Sequence, residues 1–302
     1  MGETAARKGS NGRYSSGSHI LDVASPRVRP PCPEGSQAPS NPFPQLEFES
    51  IRDRVPDAEW KVRVDCACAY RLVRYYEMDD MIYNHISVRI PGEAEHFLLN
   101  PYGMVYEEIC ASSLITVDLD GKIVWKPKFT GAQQYDVNPA GYVLHSAVHR
   151  ARKDVECIIH THSLAGMAVG ALDCGLLPVT QTAMRFAKVA YHEYEGVLVD
   201  LSEQERLVED LGDCDVMILR NHGLLAVGGT IAQAFNNLYR LERACSSQLM
   251  AMACGSKLHV PSQKVIEHTN HLYRPEVRRP YGLLEWPAMR RLMDRVDPSY
   301  NR

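Results

Sequence analysis

The sequence predicts one α/β domain. Three observations carry the prediction: an amphipathic helical stretch opens the patterned part of the chain, three short alternating runs follow it, and the second half alternates apolar runs with helical segments. Ahead of them, residues 1–45 hold seven of the chain's 18 prolines with many Ser and Gly and no apolar periodicity, which predicts a disordered segment. From Trp60 onward, Val64, Ala67, Cys68, Leu72 and Tyr75 recur at helical spacing. Residues 86–90, 96–99 and 114–118 read as strands, interrupted by Pro91-Gly92 and closed by Asp120-Gly121, and suggest an antiparallel meander. A helix is expected over 140–152 and an apolar strand over 155–159 that His160-Thr161-His162 terminates, with Ser163 capping a helix over 164–172. Residues 215–219 and 224–227 read as two further strands around the Asn221-His222-Gly223 corner, and Thr230 caps a long helix running to Ala253. The domain is expected to span residues 46–260. Residues 261–302 form a tail with a short amphipathic helix over 288–296, expected at a subunit interface because Leu283, Leu284 and Trp286 are too apolar to float free.

Composition narrows the classes of function. The apolar share is 45% and the charged share 23%, and no apolar run approaches the roughly 20 residues that a membrane helix needs. Thirty-three Lys and Arg against 37 Asp and Glu give a net charge of -4, which offers no broad attraction to nucleic acid or to an anionic membrane. Nine cysteines without a repeated CxxC fit a reducing compartment, so the expected location is the cytoplasm.

The chemistry concentrates in histidines. His160 and His162 stand two apart at a strand end, where alternate side chains project from one face, so both imidazoles can converge on one point. Alone, such a pair is equally a pair of buried histidines satisfied by backbone groups. His222 shifts the balance, because it occupies a second strand end beside Gly223, whose missing side chain allows a sharp turn. Three neutral imidazoles with an open fourth position describe a catalytic rather than a structural zinc site.

The stretches Ile158-Ile159-His160-Thr161-His162, Arg220-Asn221-His222-Gly223, Asn84-His85-Ile86-Ser87-Val88-Arg89 and Asn100-Pro101-Tyr102-Gly103 make the sequence resemble the class II aldolase/adducin family over residues 60–255. The resemblance implies a single-domain, three-layer α/β/α fold with a mixed, largely antiparallel central sheet. It also implies a divalent metal, usually zinc, on His160, His162 and His222, and substrate contacts from Asn84, Ser87, Asn100 and Gly103. A small-molecule substrate and a homotetramer with active sites between subunits follow from it as well. Two departures qualify the resemblance. The family's aldolases carry a base, Glu, nineteen residues before the first metal histidine, where this sequence has Gly141; their phosphate cradle has two Ser just before that Glu, where this sequence has Pro139-Ala140. Pro has no N–H to offer an anion and Ala no hydroxyl. Asn138-Pro139-Ala140-Gly141-Tyr142 with His145 resembles adducin and its bacterial neighbours instead.

Candidates to replace the lost base are His145, one helical turn after Gly141, and His85 from the opposite wall, each of which is otherwise a supporting histidine. Tyr300, in a tail that reaches a neighbouring subunit's site in the family's aldolases, is a candidate proton donor. Metal-bound water is a further candidate base. Three functions are therefore open. The first is a metal-dependent lyase acting on a small hydroxy- or keto-carbonyl compound by C–C cleavage, decarboxylation or dehydration. The second is a non-haem Fe(II) oxygenase, disfavoured by the missing carboxylate ligand. The third is an adducin-like binding protein without chemistry.

Overall fold

A computed structural model describes residues 46–302 except 93–94, 130–133, 187 and 197–200, so the expected disorder of residues 1–45 lies outside the described residues. After a single 3-10 turn, Arg52–Arg54, the chain runs through α1 (Asp57–Tyr75), β1 (His85–Arg89), β2 (His96–Leu99), β3 (Ile115–Asp118), β4 (Ile123–Trp125), α2 (Pro139–Ala151) and β5 (Cys157–Thr161). It continues through α3 (Leu164–Gly170), α4 (Gln181–Met184), β6 (Ala190–His192), α5 (Leu201–Leu211), β7 (Val216–Leu219), β8 (Gly223–Gly228) and α6 (Ile231–Ala253). Helices α7 (Gln263–Tyr273) and α8 (Trp286–Val296) precede a last 3-10 turn, Pro298–Asn301.

The strands form one eight-stranded sheet in the order β4-β3-β2-β1-β5-β8-β7-β6. Every neighbouring pair is antiparallel except β6 and β7. Side-chain alternation along the central strands builds a core on each face. Ile159, Ile218 and Leu224 turn toward Val64 and Leu72 of α1 and Leu238 and Leu241 of α6. Their neighbours Ile158, Met217 and Leu225 turn toward Leu144 and Val148 of α2 and Leu207 and Leu211 of α5. The result is the three-layer α/β/α arrangement with a mixed, largely antiparallel sheet.

Several boundaries differ from expectation. β5 begins later and runs through Thr161, because His160 and Thr161 still pair with Leu225 and Leu224 of β8. Ser163 sits at the N-terminus of α3 but makes no capping bond with its side chain; its hydroxyl donates to the Glu242 carboxylate on α6. Thr230 does cap α6, accepting from Gln233 N. β4, β6, α5 and α7 were not expected. His192, which reads as polar all round in the sequence, lies on β6 and is buried between the Asp210 and Glu203 carboxylates, at 2.7 and 3.4 Å.

The tail is tied to its own chain. It folds back on α1 of its own chain: Trp286 Nε1 donates to Asp65 at 3.2 Å, Arg290 pairs with the same carboxylate, and Asp297 pairs with Arg71 at 2.5 Å. Tyr300 is fully buried there, its hydroxyl donating to Asp294 and accepting from Arg290 Nε. That hydroxyl is committed within its own chain, so Tyr300 is a packing residue and not a proton donor to another subunit's site. Leu284 remains 71% exposed.

Candidate metal centre

The register of the sheet assembles the site. His85 of β1 pairs directly with His160 of β5, with the rings 6.3 Å apart and nearly parallel. His162 follows β5, and His222 occupies the corner between β7 and β8. The three imidazoles His160, His162 and His222 meet there, each offering one nitrogen, and these nitrogens all lie within 4.8 Å of one another. Nε2 of His162 is 3.0 Å from Nε2 of both His160 and His222.

Two second contacts fix the protonation pattern. His160 Nδ1 lies 3.0 Å from the Leu224 carbonyl and His162 Nδ1 lies 3.1 Å from an Asp80 carboxylate oxygen. Both oxygens can only accept, so each Nδ1 carries the proton and each Nε2 presents a lone pair to the centre. Lone pairs 3.0 Å apart repel unless a cation lies between them. Tetrahedral zinc with Zn–N distances of about 2.0–2.1 Å sets ligand nitrogens about 3.3 Å apart, so the donor set fits a divalent metal. Burial, followed by the neighbouring imidazoles, pushes the pKa of His160 well down and that of His222 to about 4, keeping both neutral as a ligand must be.

Asp80 was missed in the sequence, where it closes the acidic run after α1 and no spacing ties it to His162. Gly223 is required for a different reason than expected. The left-handed turn falls on Asn221, at φ 55°, whereas a Cβ on Gly223 would stand 2.3 Å from the Thr161 carbonyl. Glycine there lets β8 close on β5 and brings His222 to the other two rings.

The remaining candidates separate into two groups. His85 stands beside His160, its Nε2 3.0 Å from the Asn138 amide and its Nδ1 buried without a partner. Burial, then His162 and His222, lowers its pKa to about 3. Asn84 and Asn100 lie buried next to β1 and β2; their carbonyls accept from Asp80 N at 2.7 Å and from the Tyr70 hydroxyl at 3.0 Å, while both amide nitrogens lack a partner. Gly103 lies in the turn beyond β2, against the Tyr135 ring. Ser87 and His145 belong to a layer beneath. The fully buried Ser87 hydroxyl bridges His145 Nδ1 at 2.6 Å and His149 Nε2 at 2.8 Å. The Ser87 hydroxyl is thus committed to two imidazoles, and His145 spends its Nδ1 on tying α2 to β1 while its Nε2 lies buried without a partner.

That buried layer sets an acid limit on stability. Burial lowers the pKa of His145 well below 6.5 and that of His149 to about 3, so both fold as neutral rings. Stability from a depressed pKa is complete above the unfolded value and is lost as pH falls from 6.5 toward 3. Between pH 7 and pH 5, His149 alone is expected to cost about 2 kcal/mol. Urea unfolding of metal-free protein at the two pH values checks this, and an unchanged midpoint contradicts it.

Comparison with known proteins decides the family. Residues 64–249 match the class II aldolase and adducin N-terminal domain. The chain belongs to the class II aldolase and adducin family. A Caulobacter vibrioides protein, assigned provisionally by its name to the class 2 aldolases, is 44% identical over 263 residues, covering 84% of this chain and 97% of its own. Rat alpha-adducin is 41% identical over 243 residues, 78% of this chain but only 32% of the adducin. Among solved structures, an aldolase II superfamily protein from Pseudomonas syringae aligns with a TM-score of 0.77 at 45% identity, over 84% of this chain and all of the other. An L-fuculose 1-phosphate aldolase from Glaciozyma antarctica aligns at 0.69 and 27% identity, over 85% and 96%. No helix among the described residues is long and apolar enough to cross a membrane.

Proposed function

We propose that this member of the class II aldolase and adducin family is a metal-dependent lyase for a small hydroxy- or keto-carbonyl compound. The observation that carries the reading is the convergence of three ring nitrogens, the Nε2 atoms of His160, His162 and His222. A divalent cation, zinc in preference to Fe(II) because no carboxylate joins the donor set, supplies Lewis acidity toward a substrate carbonyl there. Asp80 and the Leu224 carbonyl hold the ligand rings in orientation. The unpaired buried amides of Asn84 and Asn100 supply hydrogen-bond donors at the same end of the sheet, a capacity that buried groups seldom leave unused.

The reaction type follows from the basicity present. With its pKa near 3, His85 is a weak base at neutral pH and better suited to offering a hydrogen bond to developing negative charge. Loss of CO2 from a β-keto acid needs no base, whereas dehydration requires removal of a carbon-bound proton and aldol cleavage removal of a hydroxyl proton. Decarboxylation is thus favoured over aldol cleavage and dehydration. Catalysis in a homotetramer is part of the reading, with exposed Leu283 and Leu284 as the apolar surface available to a neighbouring subunit. Zinc-loaded protein incubated with a panel of small keto and hydroxy acids is expected to release CO2, with His162→Ala inactive. A fully metallated protein that turns over none of them counts against the lyase reading; oxygen consumption by an iron-loaded form favours the oxygenase.

A further inference from the structure

Between α4, α6, α7 and the segment leading into α8 lies a cavity of about 500 Å³ lined by Arg185, Arg240, Arg278 and Arg279, with Thr182 and Glu285 at its wall. It shares no lining residue with the histidine centre. Glu285 is its sole carboxylate and is already engaged: Arg279 grips both its oxygens at 3.1 and 2.6 Å, and Gly282 N donates to it at 2.9 Å. Among the described residues no acceptor engages the guanidiniums of Arg185, Arg240 or Arg278. Arg185 is held by aromatic faces instead, 5.5, 5.3 and 5.2 Å from the rings of Phe186, Tyr273 and Tyr281. Arg279 lies 4.4 Å over Tyr281. Burial, then the facing charge of Arg240, pushes the Arg185 pKa down to about 10 despite the opposing pull of Glu285.

We propose that this cavity binds a small molecule carrying two or more phosphate groups. Three guanidiniums without protein acceptors exceed what one singly charged anion can satisfy, and their planar forks match phosphate oxygens in pairs. The aromatic stacking fixes Arg185 before any ligand arrives, which lowers the ordering cost of binding. A volume of about 500 Å³ lies in the range of small-molecule sites. The carboxylate-poor lining excludes a cation.

The test is calorimetric titration of the metal-loaded full chain with inorganic pyrophosphate, with inorganic phosphate and citrate as comparators. Saturable, stoichiometric binding of pyrophosphate is expected, tighter than that of either comparator. Arg240→Gln and Arg278→Gln should each weaken it about tenfold or more while metal content stays intact, since each removes a charge-assisted contact. Added salt should weaken it further. Pyrophosphate also chelates metals, so His162→Ala is titrated in parallel and must retain binding. Binding lost in His162→Ala but kept in the arginine variants places pyrophosphate on the histidine centre and overturns the proposal. Citrate binding more tightly overturns the phosphate assignment. No binding at all, as when a second subunit's acids cover the arginines, overturns it too. The proposal does not rest on the lyase reading, and either can fail alone.

Discussion

Replacing His160, His162 or His222 singly by alanine is expected to leave the protein without stoichiometric metal, whereas His145→Ala should keep it. The three ring nitrogens form one donor set 3.0 Å apart about His162, and removing any of them leaves two ligands for an ion that ordinarily takes four. The loss should exceed the about 10- to 100-fold in affinity that follows from removing an outer partner. Asp80→Asn supplies that smaller effect as an internal scale, because the amide can still accept from His162 Nδ1 but no longer carries charge. His145 is the control: it is fully buried on α2, whereas two of the three ligands are only half-buried, and its bonded nitrogen faces Ser87. Elemental analysis after exhaustive dialysis reads the result. A full metal equivalent in all three ligand variants would falsify the central claim, and parallel loss in His145→Ala would reduce it to a folding effect.

The sequence made the chemistry legible where chemistry and backbone geometry coincide. His160 and His162 are two apart because a strand repeats every two residues, and the glycine beside His222 marks a corner; neither needs tertiary knowledge to be noticed, whereas the crowding against Thr161 that requires the glycine does. Asp80 could not be found this way, since its carboxylate meets His162 only after α1 and β5 have packed, 82 residues apart along the chain. The end of β5 was misplaced for a related reason. His160 is polar and reads as a terminator, but pairing with Leu225 keeps it inside the sheet. α5 and β6 escaped because Tyr191-His192-Glu193-Tyr194-Glu195 shows no apolar alternation, and the carboxylates that bury His192, Glu203 and Asp210, stand 11 and 18 residues away along the chain. Tyr300 shows the opposite error: a family expectation sent it to another subunit, and Asp294 with Arg290 holds it at home. The fold class was robust to all of these, because it rests on alternation along the central strands that a one- or two-residue boundary shift does not alter.

Negligible cleavage of L-fuculose 1-phosphate and other sugar phosphates is expected of the unmodified protein, and installing the missing glutamate alone should not restore it. General acid-base catalysis contributes about 10² to 10⁴ in rate, and Gly141 stands where the family's aldolases carry the base. Pro139, the first residue of α2, has no N–H for a phosphate oxygen, and neither it nor Ala140 has a hydroxyl. The structure adds the reason that Gly141→Glu is not a simple repair. A Cβ at position 141 would lie 2.6 Å from Cδ2 and Nε2 of His85, so the imidazole already fills the space into which a side chain there would project. His85 is itself confined by the Asn138 amide and by pairing with His160. Gly141→Glu by itself should therefore displace a buried ring and destabilise the fold by about 1–3 kcal/mol, as overpacking does. Joining it to His85→Asn, which shortens the side chain facing position 141, should recover much of that loss. Stability measured around this double-mutant cycle is expected to show coupling of more than about 0.5 kcal/mol, the sign of two residues sharing one volume. Additive effects would mean that His85 and the side chain at 141 do not compete. Robust turnover of a sugar phosphate by the unmodified chain would show instead that the glutamate is dispensable and return the protein to the ordinary aldolases.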